Sequence, residues 1–183
     1  MPLTLGGRLS ATVLDRATGK GVRLACLVLV EPAAGVDIDG RYKLTSLGPY
    51  EWPIFVKPIE GPEGPDAPRQ WSGGTGNRYQ AETVAVRSGE TSTLDITTQP
   101  FAAIAGAVTA PEGGVLIASN ASTGDEVGWA RFAGLGEYRL PLVGGQRVVV
   151  RWVLNSGRSG VWAEGEKVQV PKADTRALDL TIG

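Results

Sequence analysis

Gly40-Arg41-Tyr42-Lys43-Leu44 returns 96 residues later as Gly136-Glu137-Tyr138-Arg139-Leu140. A second echo follows in the same order. Val84-Ala85-Val86 with Thr91-Ser92-Thr93-Leu94-Asp95-Ile96-Thr97 reappears 84 residues on as Val168-Gln169-Val170 with Thr175-Arg176-Ala177-Leu178-Asp179-Leu180-Thr181. Both echoes alternate apolar and polar residues, the period of a half-buried strand, so the chain reads as one β plan used twice. The drop in offset from 96 to 84 leaves 12 extra residues in the first copy, in the region of Pro58 to Trp71. We therefore expect an all-β chain of two tandem Greek-key β-sandwiches, immunoglobulin-like or prealbumin-like. Residues 1–99 form the first, with an inserted Pro/Gly-rich loop at 58–76, and residues 100–183 form the second.

Local pattern fills in this plan. Leu5 to Asp15 alternates, the turn Arg16 to Gly21 follows, and the apolar run Val22 to Val30 reads as a buried strand. Arg41 to Thr45 and Tyr50 to Lys57 come next, with Pro53 expected at an edge or a bulge because it cannot donate to a ladder. Glu82 to Arg87 and Thr91 to Thr98 are expected to close the first domain as a hairpin around Ser88-Gly89-Glu90. The second domain is expected to end on a strand over Ala177 to Ile182.

Composition removes whole classes of chemistry. The chain has no histidine and one cysteine, so His-containing triads and His- or thiolate-ligated zinc are out of reach. No G-x-S-x-G, S-x-x-K or P-loop pattern occurs, and Gly73-Gly74-Thr75-Gly76 lacks the Lys that phosphate cradling needs. We expect no enzyme activity, no catalytic residue, no metal and no cofactor. Net charge is −1 without a Lys/Arg cluster, which argues against nucleic acid as a partner. No apolar run approaches the ~18 residues of a membrane span. Met1-Pro2-Leu3-Thr4-Leu5 has no basic or long apolar signal region. That leaves two settings, an excised part of a secreted surface protein or, if this is the native start, an unexported component of an assembly such as a virion.

Few side chains stand out as sites. Asp37-Ile38-Asp39-Gly40 opens like a calcium loop, but its twelfth position is Gly48 rather than a bidentate acid. A structural Asp-Gly turn is the simpler reading, with a weak Ca²⁺ site on Asp37 and Asp39 as the alternative. Cys26 reads as a small buried hydrophobe, and Glu60, Glu63 and Asp66 as solvated loop acids. Asn120-Ala121-Ser122 matches a glycosylation sequon. Trp52 and Trp152 fall within strands and are expected to pack. Trp71 is the best exposed-anchor candidate, with Tyr50 and Tyr79 beside it, because rigid rings bury much area at small entropic cost. The competing reading folds Trp71 back as a lid on its own sandwich.

Gly7, Thr18-Gly19, Asp39-Gly40-Arg41-Tyr42, Leu47-Gly48-Pro49-Tyr50, Trp71 with Gly73-Gly74, and Ser88-Gly89-Glu90-Thr91 together give a pattern that resembles carboxypeptidase regulatory-like domains. These are transthyretin-like (prealbumin-like) β-sandwiches of about seven strands. The second copy is similar more loosely, with Leu135-Gly136 in place of the acidic turn and no Trp-x-Gly-Gly segment. The resemblance implies a non-catalytic module, appended to enzymes or repeated in surface and adhesive proteins. Related pilin and adhesin domains close an isopeptide from a first-strand Lys, which Leu9 to Leu14 and Ala103 to Val108 lack. The expected function is a structural or interaction protein, a spacer, decoration or docking module with a protein partner or larger assembly. The alternative is a glycan-binding accessory module using the exposed aromatics.

Overall fold

The first alternating stretch becomes strand β1 (Gly7–Leu14), which buries Leu9 and Val13 on one face. The computed structural model describes residues 6–22, 25–26, 37, 39–57 and 68–183. Most of the apolar run Val22 to Val30, the side chain of Cys26 and the loop acids Glu60, Glu63 and Asp66 lie outside the described residues. So does the inserted loop before Pro68. The chain divides into two compact units, Met1–Gln99 and Pro100–Gly183.

In the first unit β1 is followed by β2 (Ala25–Cys26), β3 (Arg41–Leu47), β4 (Glu51–Pro53), β5 (Phe55–Lys57), β6 (Gln70–Trp71), β7 (Thr83–Ala85), β8 (Thr91–Ser92) and β9 (Ile96–Thr97). β1 pairs antiparallel with β3 and parallel with β8 and β9. Apart from this sheet stand β5, flanked by β2 and β6, and the pair β4 with β7. Tyr42 and Leu44 from β3, Val56 from β5, Val84 from β7 and Ile96 from β9 join Leu9 and Val13 in one core.

Two expectations for this unit are corrected. Tyr50 to Lys57 is not one strand. After Pro53 the chain leaves β7, Ile54 donates its N–H to Ser72 Oγ at 3.0 Å, and β5 resumes against β2 and β6. The expected hairpin over 82–98 is also absent. β7 pairs with β4 and β8 pairs with β1, so the two arms join different sheets, linked by Ser92 Oγ donating to Ala85 O at 2.6 Å. Running parallel to β1 sets Ile96 opposite Val13, and both are core residues.

The second unit comprises β10 (Phe101–Thr109), β11 (Gly114–Asn120), β12 (Glu126–Phe132), β13 (Leu135–Val143), β14 (Arg147–Leu154), β15 (Ser159–Val161), β16 (Lys167–Gln169), β17 (Thr175–Ala177) and β18 (Leu180–Thr181). One sheet runs β13-β10-β17, with β18 also on β10. The other runs β12-β11-β14-β15, with β16 also on β14. Ile104, Leu140 and Leu180 from the first sheet meet Leu116, Val127 and Val148 from the second, which makes the core of a sandwich. The fold is all-β, two tandem β-sandwiches of Greek-key type.

The expected strand Ala177 to Ile182 is broken at Leu178-Asp179, and the break has a local chemistry. Asp179 Oδ1 accepts from Ala107 N at 2.8 Å, and Tyr138 Oη donates to Leu178 O at 2.7 Å. The side chains thus satisfy main-chain groups that the interrupted ladder would otherwise leave unpaired. The first unit has the same arrangement. Thr12 N donates to Asp95 Oδ1 at 2.9 Å, and Tyr42 Oη donates to Leu94 O at 2.6 Å.

Candidate functional site

The chemistry of the 70–75 segment is spent on holding it in place. Gln70 is buried, donates Nε2–H to Thr97 O at 3.0 Å and accepts from Gln99 N at 2.9 Å. Ser72 is also buried, accepts from Ile54 N and donates Oγ–H to Glu82 O at 2.5 Å. Between them Trp71 sits opposite Phe55 in the ladder, with ring centroids 4.8 Å apart. Its indole is only 6% exposed, and among the described residues Nε1–H has no acceptor. The geometry of Trp71 is therefore that of a ring folded inward.

Tyr79 and Tyr50 point the other way. Tyr79 is 75% exposed on a 3-10 turn, Arg78–Gln80, whose start is capped by Asn77 Oδ1 accepting from Tyr79 N at 3.0 Å. The Arg78 guanidinium lies 5.3 Å from the ring centroid. Tyr50 is 67% exposed and meets Trp52 edge-on at 6.0 Å, while Trp52 Nε1 donates to Gly48 O at 2.9 Å. Of the three aromatics singled out by sequence, two are presented to solvent.

The remaining candidates serve the backbone. Asp37 Oδ1 accepts from Asp39 N at 2.9 Å and from Arg41 N at 2.8 Å, closing the turn before β3. Among the described residues no group of three or more His, Cys, Asp or Glu is placed to hold a metal ion. Asn120 is 4% exposed, accepts from Ser122 N and Thr123 N, and donates Nδ2–H to Gln146 Oε1 at 3.1 Å. The sequon asparagine is thus turned inward and its amide is engaged. Asp15 accepts from Thr18 Oγ1 and Thr18 N, which holds its carboxyl below the usual range. Burial pushes the Tyr138 phenol up, and the Asp179 carboxylate adds to the shift.

Sequence reasoning assigned no role to Trp129. On β12 the residues Val127, Ala130 and Phe132 are buried, whereas Trp129 is half-buried and Arg131 exposed. The Arg131 guanidinium lies 5.1 Å from the Trp129 centroid. The signal was available in the Trp-x-Arg spacing, since residues two apart share a strand face.

No family model and no curated protein matches the chain. Solved structures with similar chains include the Bacillus anthracis TIE protein, at 12% identity over 98% of this chain and 33% of that one, with a TM-score of 0.34. The minor pilin of Streptococcus agalactiae aligns at 10% identity over 96% of this chain and 95% of its own, with a TM-score of 0.35. A DUF3823 family protein from Bacteroides uniformis aligns at 14% over 91% and 100%, with a TM-score of 0.28. The chain spans about a third of the TIE protein's length and about a quarter of that of a Bacteroides thetaiotaomicron leucine-rich repeat protein. Scores this low carry no residue role and no function across. Among the described residues no helix is long and apolar enough to cross a membrane.

Proposed function

We propose that the chain is a non-catalytic structural and interaction module, two copies of one carboxypeptidase regulatory-like, transthyretin-type sandwich in tandem. Its role is that of a spacer, decoration or docking unit in a surface or virion-type assembly. The observation that carries this reading is the use made of the buried polar side chains. Gln70, Ser72 and Asn120 direct their hydrogen bonds mainly to main-chain groups and so fix loops rather than line a cleft. Duplication draws support from the Tyr, Leu and Asp arrangement, which recurs with Tyr42, Leu94 and Asp95 in one unit and Tyr138, Leu178 and Asp179 in the other. The strand order β13-β10-β17 facing β12-β11-β14 supports the transthyretin-type assignment.

The glycan reading required a platform of Trp71, Tyr50 and Tyr79, and the burial of Trp71 removes one ring from it. Tyr50 and Tyr79 stay in the proposal as exposed protein-contact residues on the first unit. Fragments 1–99 and 100–183, each prepared alone, test the modular reading. Each should give a β-type circular dichroism spectrum and a cooperative melt. Fragments that are unfolded apart and fold only when mixed would overturn it.

A further inference from the structure

The sheet β12-β11-β14-β15 has one face in the core and one in solvent, and the solvent face is not polar. On β11 the buried residues are Leu116 and Ala118, which turns Val115 and Ile117 outward. On β14 Val148 and Val150 are buried, so Val149, Arg151 and Val153 face out. Register aligns these residues into rows. Trp129, Ile117, Arg151 and Val161 are consecutive cross-strand neighbours, and Arg131, Val115, Val153 and Ser159 form the row beside them. Val161, at the open end of its row, is 44% exposed. A third row places Ser119 opposite Val149, and Val149 opposite Lys167.

An antiparallel sheet normally alternates apolar-in with polar-out, and a contiguous apolar outer face marks a contact surface. On the opposite sheet of the same unit β13 exposes the charged pair Glu137 and Arg139, with Leu135 at its start the one large apolar side chain of that strand left in solvent. The charge on the apolar face is also one-sided. Arg131, Arg147, Arg151 and Lys167 are the bases that the strand pairings bring onto it, and Glu126, opposite Ser119 at one margin, is the acid. A second copy docked face to face would bring arginines against arginines, which disfavours that occupant. Trp and Arg are also the residue types that dominate interface energetics.

We propose that this face docks a partner protein through an apolar surface rimmed by carboxylates, with Trp129 and Ile117 as the apolar centre and Arg131 and Arg151 as the charged contacts. The inference rests on the interaction-module reading and gives that reading a surface. It is tested by selecting a phage-displayed random peptide library on the intact chain and measuring the selected peptides against variants. Selected peptides should combine acidic with aromatic or aliphatic residues and weaken with added salt. Arg131→Glu with Arg151→Glu should reduce their affinity about thirtyfold or more, a loss on the scale of a hot spot. Both sites are exposed, so the double variant should keep the parent's melting temperature, and Ile117→Thr provides a second, charge-neutral disruption. Peptides that bind the double variant as tightly as the parent overturn this face while leaving the interaction-module reading standing. Selection of no peptide overturns both, and a concentration-dependent dimer lost in the double variant assigns the face to a second copy and overturns the proposed partner.

Discussion

The two units close their interrupted strands with the same two side chains, a tyrosine and an aspartate, yet differ at the glycine two residues before the tyrosine. Gly40 has φ 78°, and a Cβ placed there would overlap the Val13 carbonyl and the backbone of Gly21 and Val22. Gly136 has φ 150°, and a Cβ there would meet nothing within 4 Å. The difference teaches that what recurs between the units is main-chain hydrogen bonding, while packing around it has diverged. A second divergence is larger. The first unit carries Trp71 against Phe55, within the stretch 58–76 expected as its inserted loop, and the second unit has no Trp-x-Gly-Gly segment.

That second divergence gives the largest expected effect. Trp71→Ala should cost about 3–5 kcal/mol, as removal of a buried aromatic does, and chemical denaturation of the full chain would measure it. A surface anchor would behave oppositely, leaving stability unchanged and weakening binding instead. Gly40→Val follows, at about 3 kcal/mol or more, because left-handed backbone strain of about 1–2 kcal/mol adds to the steric overlap. An unchanged melting temperature for Gly40→Val would remove the asymmetry between the two glycines.

Tyr42→Phe and Tyr138→Phe sharpen the part that is shared. Each keeps the ring but leaves a leucine carbonyl without its donor, which should cost about 1–2 kcal/mol apiece. Similar losses fit one arrangement used twice, and a loss confined to one unit breaks the equivalence. Gly136→Val is smaller, at about 1 kcal/mol, since only its φ resists a side chain.

The legible and illegible parts of the chain divide along physical lines. Alternation along Arg41 to Leu47 is enough to mark Tyr42 and Leu44 as core residues, because period 2 is a local property of the sequence. The echo of Leu94-Asp95 in Leu178-Asp179 was equally visible, but its meaning was not, since the aspartates' hydrogen-bond partners lie 83 and 72 residues away in sequence. The same limit explains Trp71, whose glycine-rich surroundings read as a loop until Phe55 comes against it. It also explains the outward face of the second unit. In Arg147-Val148-Val149-Val150-Arg151-Trp152-Val153-Leu154 the arginines mark the side left in water, but periodicity alone does not say that Ile117 and Trp129 line up beside Arg151 on it.

The smallest effect separates the two parts of the shared arrangement in the second unit, the phenol and the carboxylate. Burial first and the nearby Asp179 carboxylate second raise the Tyr138 pKa above its ordinary value of 10.0 in the folded protein. Unfolding releases the phenol to its ordinary value, so below pH ~10 both states hold the proton and this group adds no pH dependence. Above it the unfolded state loses the proton first, and stability falls as pH rises. Tyr138→Phe should therefore flatten the stability profile above pH ~10 while leaving its slope at neutral pH unchanged. Asp179→Asn should flatten it less, because it removes only the Coulombic contribution and leaves the ring buried. If Asp179→Asn flattened the profile as fully as Tyr138→Phe, the carboxylate rather than burial would control the phenol, and charge would rank ahead of desolvation as the cause of its raised pKa.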